Sequence, residues 1–336
     1  MRDAMTPERL DEILERARST RVVVLGDLML DEFVWGKVGR ISPEAPVPVV
    51  EVTRETSYPG GAANVARNLR EFIDRTSVIG MIGRDRGGRQ LRELLEECKI
   101  ETSDVVEDEA FSTIVKTRII ARQQQVVRVD REEIRPPSAQ QVALVTGSIK
   151  RRLNDFDAVI FEDYGKGFLS ASLVQQVSEI SCAAGKIVTV DPNPRHRLAW
   201  ANVTAVKPNR SEAFLAAGIP WSDPIEPASA DRPLLRAGSI LLEKWDTKLL
   251  LITLGEQGMM LFEAGKAWHI PTKARQVFDV SGAGDTAIAL FTLALCSGAT
   301  AREAADISNH ASAVVVGKLG TATVTREELR RSFGNI

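Results

Sequence analysis

The chain has 336 residues, 44% hydrophobic, 26% charged and 5% aromatic, and its 43 Lys and Arg against 45 Asp and Glu leave a formal charge of −2. This is the balance of a soluble globular protein with a large core; without a basic block, neither nucleic acid nor an anionic membrane is expected as the main partner. No apolar run reaches the roughly 18 residues of a membrane span, and small ligands are the better expectation.

Residues 1–20 read as a short amphipathic helix, not a signal peptide. Cys98, Cys182 and Cys296 form no C-x-x-C pair and read as small buried thiols in a reducing compartment, so a cytoplasmic protein is expected. Near-continuous apolar strands at 22–25, 77–80, 158–161, 187–190 and 249–252 alternate with helical patterns at 62–73, 88–97, 139–153, 171–184, 211–217, 233–245, 285–295 and 301–316. That order predicts a doubly wound, mostly parallel α/β sheet flanked by helices. Two segments break it. Residues 41–52 carry Pro43, Pro46 and Pro48, which suit an edge or a projecting flap. Residues 113–130 read as two alternating strands, 114–121 and 126–130, joined by 122–125. Together they predict a small β lid. The proline-containing loop 221–232 reads as a mobile surface segment.

Polar residues cluster where apolar strands end, the place where open α/β sheets bind ligands. Asp27 and Asp31 follow the first strand, and Asp27 is a candidate for gripping sugar hydroxyls. Gly60 and Gly61 allow close backbone approach before Asn64 at a helix start, although each piece also fits a plain turn. Asp163-Tyr164-Gly165-Lys166-Gly167 and Asp191-Pro192-Asn193 follow two later strands. Asn209 and Glu212, three apart, fit a capping box as well as a site ordering water around Mg²⁺.

The most informative stretch is Asp279-Val280-Ser281-Gly282-Ala283-Gly284-Asp285-Thr286 before an apolar helix. Small residues let amides crowd an anion while the helix aims its positive end at it. Asp285 is placed to accept a proton from a hydroxyl attacking a phosphoryl group; a capped glycine turn is the plainer alternative. The G-x-G-x-x-A match at Gly282, Gly284 and Ala287 is a weak dinucleotide signal, lying late in the chain with an acid against the pyrophosphate. No G-x-x-x-x-G-K-[ST] occurs. His196, His269 and His310 fit no ligand spacing and read as structural.

With the paired glycines near one end and D-V-S-G-A-G-D-T near the other, nearly the whole chain resembles the ribokinase-like (PfkB-type) carbohydrate kinases. The resemblance implies one α/β domain over 1–336 with lid segments at about 35–58 and 113–130, and the use of ATP and Mg²⁺, with a response to K⁺ in many members. It implies Asp285 as catalytic base and Gly282, Ala283 and Gly284 as the anion hole. Asn209 and Glu212 fall on the family's N-x-x-E motif, which favours the Mg²⁺ role over the capping one, with Glu212 acting through water. Thr253, Gly255, Gly258 and Asn309 are implied beside the nucleotide. Asp279, Ser281, Gly320 and Thr323 are implied around a monovalent cation.

The runs from Gly26 to Asp31, from Arg40 through I-S-P-E-A-P-V-P-V-V, and from Pro59 to Asn68 resemble most closely the D-glycero-β-D-manno-heptose-7-phosphate kinases. Val127-Arg128-Val129-Asp130, the D-Y-G-K-G turn and Val316-Gly317-Lys318-Leu319-Gly320-Thr321 agree. These enzymes phosphorylate the anomeric hydroxyl on the route to ADP-heptose for lipopolysaccharide. A phosphorylated sugar needs cationic partners, and the sugar face of Asp27, Asp31, Gly60, Gly61, Asn64 and Asp163 has none. Lys116, Arg118, Arg128 and Lys166 are the expected source. A homodimer through the lid is expected. No H-x-G-H-like transferase motif occurs, so a separate nucleotidyltransferase is expected in the pathway. The competing readings are a kinase of this fold for another sugar, sugar phosphate or nucleoside, a non-catalytic sugar-binding protein, and, more distantly, a nicotinamide oxidoreductase.

Overall fold

The computed structural model describes residues 5–121, 124–274, 277–318 and 320–334. In chain order, α1 (Pro7–Ala17) leads into β1 (Arg21–Gly26), the long hairpin β2 (Leu28–Ile41) and β3 (Pro48–Gly61), and α2 (Ala62–Arg70). Then come β4 (Arg75–Ile79), β5 (Met81–Gly83), α3 (Arg86–Glu97), β6 (Val106–Asp108), β7 (Ile114–Ala121) and β8 (Gln124–Arg131). The central part runs α4 (Ala139–Arg151), β9 (Ala158–Glu162), α5 (Ala171–Ala183), β10 (Ile187–Asp191), β11 (Ala205–Val206), α6 (Arg210–Ala217) and α7 (Arg232–Trp245). It ends with β12 (Leu249–Thr253), β13 (Met259–Glu263), β14 (Lys266–Ile270), α8 (Ala283–Cys296), α9 (Ala301–Val315) and α10 (Arg326–Gly334).

An eight-stranded sheet has the order β14-β13-β12-β11-β10-β9-β1-β4, parallel from β4 to β12 and closed by the antiparallel β13 and β14. Its strands are apolar on both faces because helices cover both. In β1, Val22 and Val24 join the cluster built with α1, α2, α8 and α9, while Val23 and Leu25 join the one built with α4, α5 and α7. The period of two in a strand divides these four residues between two cores. The expected doubly wound sheet is therefore what forms.

A second, four-stranded sheet, β3-β2-β7-β8, makes the lid. Regular pairing reaches further than the proline count suggests: β2 and β3 pair from Leu28 with Gly61 out to Ile41 with Pro48. Pro43 and Pro46 sit in the tip, and Pro48 opens β3, where a missing donor is tolerated. The second lid hairpin is found at β7 and β8, although part of its expected 122–125 junction falls outside the described residues. Loop 221–232 is not loose. Asp231, fully buried, accepts from the backbone N–H groups of Ile225 and Leu234 and pairs with Arg210 at 2.8 Å, and Arg210 in turn donates to the carbonyls of Ser222 and Asp223. A buried charge needs such partners, and meeting that need ties the loop to α6.

Candidate active site

Strand register assembles an acidic centre. Glu162 closes β9 and Asp191 closes β10, and they are direct ladder partners. Both have the same parity as Ile160 and Thr189, which face α8; the hydroxyls of Thr189 and Thr292 lie 2.6 Å apart. The first turn of α8 brings in Asp285, so carboxylate oxygens of Glu162, Asp191 and Asp285 all lie within 4.8 Å of one another. Lys207, just after β11 and buried, pairs with Asp191 at 2.8 Å. Burial raises the Glu162 and Asp191 pKa values, Glu162 further through its acidic neighbours. For Lys207 burial works against the charge, but Asp191, with Glu162 and Glu212, outweighs it and raises its pKa. Among the described residues, Glu162 Oε2 has no hydrogen-bond partner.

Asp285 is gripped from two directions. Asn64 Nδ2 donates to Oδ2 at 2.6 Å, and the Tyr164 hydroxyl donates to Oδ1 at 2.8 Å. Burial raises the Asp285 pKa, while these two bonds and Lys207 pull it back. Two glycines make the meeting possible. Gly61 has φ +59° before α2, and a Cβ there would lie 2.4 Å from the Asp27 carbonyl oxygen. Gly282 has φ +77° before α8, and a Cβ there would lie 2.9 Å from Asn64 Nδ2. Gly282 also has no side chain with which to cap α8, and Gly282 and Gly284 line the cleft; Ala283 departs from the expected anion hole, because its amide donates to the Val280 carbonyl at 3.2 Å.

The other residues expected at the sugar face divide. Asp31 is buried beneath Arg118, with which it pairs, and a Cβ on Gly60 would lie 2.4 Å from Asp31 Oδ2. Asp27 needs correcting. Its oxygens accept from the backbone N–H groups of Tyr164, Lys166 and Phe168 at 3.0, 2.9 and 3.2 Å, so it staples the D-Y-G-K-G turn and has little left for a ligand. Asp163 does likewise, accepting from Gly165 N and facing His196 Nδ1 at 3.0 Å, with its pKa raised to about 6 by burial. Lys116 pairs with Asp130 and Glu132, and Lys166 with Glu132 at 2.7 Å. Arg128 also departs from expectation: it reaches forward along its own strand to Asp130 and stays half-exposed.

A cleft of about 620 Å³ runs from this centre past Lys207, Asn209, Glu212, Thr253 and Gly255. The capping box set aside in favour of a metal role does form: Asn209 Oδ1 accepts from Glu212 N at 2.9 Å and Glu212 Oε2 from Asn209 N at 2.7 Å. It uses one Glu212 oxygen, so cap and cleft roles coexist. Gly258 lies outside the cleft lining, at φ +91° against the Ile270 carbonyl, as a hairpin turn residue. Asn309 donates to the Pro271 carbonyl at 2.6 Å. Asp279 accepts from Ser281 N and Gly320 N, which brings three of the expected cation-site residues together. Thr323 does not join them, because its hydroxyl turns to Glu71 and its carbonyl accepts from Lys318. Glu162 and Lys207 were given no role, and Tyr164 and Asp191 were placed at strand ends where ligands bind but given no role in the site. Their shared signal was a polar group directly at or after the end of an apolar strand.

The comparisons with known proteins agree with this geometry. The pfkB family of carbohydrate kinases matches residues 19–328. The bifunctional protein HldE of Desulfatibacillum aliphaticivorans is 42% identical over 313 residues, 93% of this chain and 63% of its own length. That of Geobacter sulfurreducens is 40% identical, covering 98% of this chain and 66% of its own length. The chain thus spans about two thirds of the relatives it matches. Among solved structures, phosphofructokinase-2 from Escherichia coli in complex with potassium superposes with a TM-score of 0.76 at 18% identity, covering 94% of this chain and 98% of that one. Arabidopsis thaliana ribokinase complexed with ribose and ATP gives 0.69 at 19%, with the same shares covered. At such identities these two show a ribokinase-like α/β fold and no more. With the family matched across the sheet, the lid and the start of α8, the chain belongs to the pfkB carbohydrate kinases and is a phosphotransferase with an alcohol as acceptor.

Proposed function

We propose that the chain transfers the γ-phosphoryl group of ATP to the anomeric C1 hydroxyl of D-glycero-β-D-manno-heptose 7-phosphate, giving the 1,7-bisphosphate on the route to ADP-heptose. Asp285 takes the proton of the attacking hydroxyl, the amides of Gly282 and Gly284 and the Lys207 ammonium face the transferring phosphoryl group, and Asn209, Glu212, Thr253 and Gly255 line the phosphates' approach. The oxygen donors of Glu162, one of them without a partner among the described residues, and of Asp191 suit Mg²⁺, with Glu212 acting through water; bound there, the ion would neutralise phosphate charge. Asp279, Ser281 and Gly320 are the residues proposed for a monovalent cation.

The observation that carries the sugar-phosphate reading is on the lid. Lys116 and Arg118, two apart on β7, share the face of Asp31, which is opposite Lys116 in the ladder and pairs with Arg118, and Lys166, from the turn below, pairs with Glu132, which also pairs with Lys116. A phosphate dianion entering here would meet cations now paired with carboxylates, and would bring two negative charges to bonds of the same charge-assisted kind. The test is kcat/KM for heptose 7-phosphate, heptose, fructose 6-phosphate and ribose at saturating ATP. Heptose 7-phosphate is expected to lead, with Lys166→Ala or Arg118→Ala narrowing its lead over free heptose through KM; a higher value for ribose or free heptose moves the enzyme to the plain-sugar class. Exposed Ile41, Val47, Val52, Val127 and Val129 on the lid support a homodimer through it. Val127→Lys is then expected to shift the chain toward monomer in sedimentation.

A further inference from the structure

The two groups that hold Asp285 differ in kind. Asn64 gives an amide N–H, which orients a carboxylate. Tyr164 gives a hydroxyl, the same class of group from which a kinase base takes its proton. The backbone of Tyr164 is fixed: its own N–H and those of Lys166 and Phe168 end on Asp27, and Gly165 N ends on Asp163. Its ring borders the cleft and is partly open to it. Its hydroxyl lies 2.8 Å from Oδ1, with Oδ2 already taken by Asn64.

We propose that Tyr164 stands in for the acceptor: in the sugar-free enzyme its hydroxyl occupies the edge of Asp285 that the sugar hydroxyl later takes, and so keeps water from the base and ATP from hydrolysis. The proposal rests on the reading of Asp285 as base. When sugar binds, its hydroxyl displaces the phenol from Oδ1 and passes its proton to the carboxylate as the new O–P bond forms and the bond between the γ-phosphorus and the ADP oxygen breaks. With the phenol gone, water makes the same attack, and ATP and water give ADP and phosphate. Excluding water until the acceptor is in place is a recurring device in phosphoryl transfer.

Tyr164→Phe removes one oxygen and keeps the ring. The measurement is ADP release from ATP and Mg²⁺ with no sugar present, set against sugar-dependent turnover. The expected result is a ratio raised by about tenfold or more, with the KM for ATP and the melting temperature little changed. An unchanged ratio, or both rates falling in proportion, overturns the proposal. A second measurement uses the native enzyme. Titrating heptose 7-phosphate without ATP should give an ultraviolet difference signal for a tyrosine changing hydrogen-bond partner. The chain has two tyrosines, so the signal must persist in Tyr58→Phe. Calorimetric binding of the sugar without that signal also overturns the proposal. If the sugar does not bind at all, the heptose reading fails while the hydrolysis ratio still decides the role of Tyr164.

Discussion

Asp285 is ionisable in a place that discourages ionisation, and the side chains around it decide how it behaves. Burial alone would favour a neutral acid, which could not accept a proton; the bonds from Asn64 and Tyr164 and the nearby Lys207 charge counter that. Asp285→Asn keeps the shape and both neighbours but cannot take a proton, so kcat is expected to fall by about 10²- to 10⁴-fold with ATP affinity retained. Retention of more than about a third of kcat would place the base elsewhere. Lys207 is the buried cation among Glu162, Asp191 and Asp285, and Lys207→Met leaves their charge uncompensated. A loss of about 3 kcal/mol in denaturant unfolding is expected, partly restored by adding Glu162→Gln. Equal losses in the single and double variants would mean that Lys207 is not offsetting Glu162. At this scale the sequence was only half legible. Asp285 and Asn64 announced themselves through glycine neighbours. Glu162 and Lys207 did not, because one charge at the end of an apolar run reads as the run's boundary until ladder register sets it beside Asp191. Asp27 misled for the converse reason: its position at a strand end was read correctly, but the three amides it would hold belong to a turn 137 to 141 residues away.

Elements were read with more success than residues, and the failures have a pattern. Strands buried on both faces, such as β1, β9, β10 and β12, show as unbroken β-branched and leucine runs. Helices α2, α4 and α7 show as periodic stripes. What escaped was short or on an edge: β5, β6 and β11 are two or three residues long, and β13 and β14 were not set apart as an antiparallel closing hairpin. The capping box on α6 was seen and then set aside, although the structure keeps it. The start of α8 gives the prediction proper to this scale. Gly282 needs its left-handed backbone, and a methyl group there meets Asn64 Nδ2. Gly282→Ala is expected to lower stability by about 1 to 2 kcal/mol. It should also lower kcat by roughly tenfold or more, because displacing Asn64 unseats Asp285. A stability loss with unchanged kcat would separate the turn from the chemistry.

For the molecule as a whole, pH dependence has a readable sign. His310 is buried in α9, stacked on Phe333 and bonded to Ser332, and burial, with Lys273 nearby, lowers its pKa to about 4. Between that value and its ordinary 6.5 the unfolded chain binds a proton that the folded chain refuses, so this histidine makes stability rise with pH across the window. The raised acids of the active site act in the opposite direction, so the informative quantity is a difference. His310→Phe is expected to be less acid-sensitive than the native protein between pH 6.5 and 4, by on the order of 2 kcal/mol. Parallel stability curves would show that His310 does not titrate there. Finally, Asn64 and Asp285 stand 221 residues apart in sequence yet share one hydrogen bond. During translation at about 5 to 20 residues per second, some 10 to 40 s pass between the two leaving the ribosome tunnel. For that interval the emerging chain carries its lid strands, its glycine pair and its stapling aspartate, and Asn64 waits for its partner. On the proposed reading of Asp285 as base, phosphoryl chemistry waits until α8 has been synthesised.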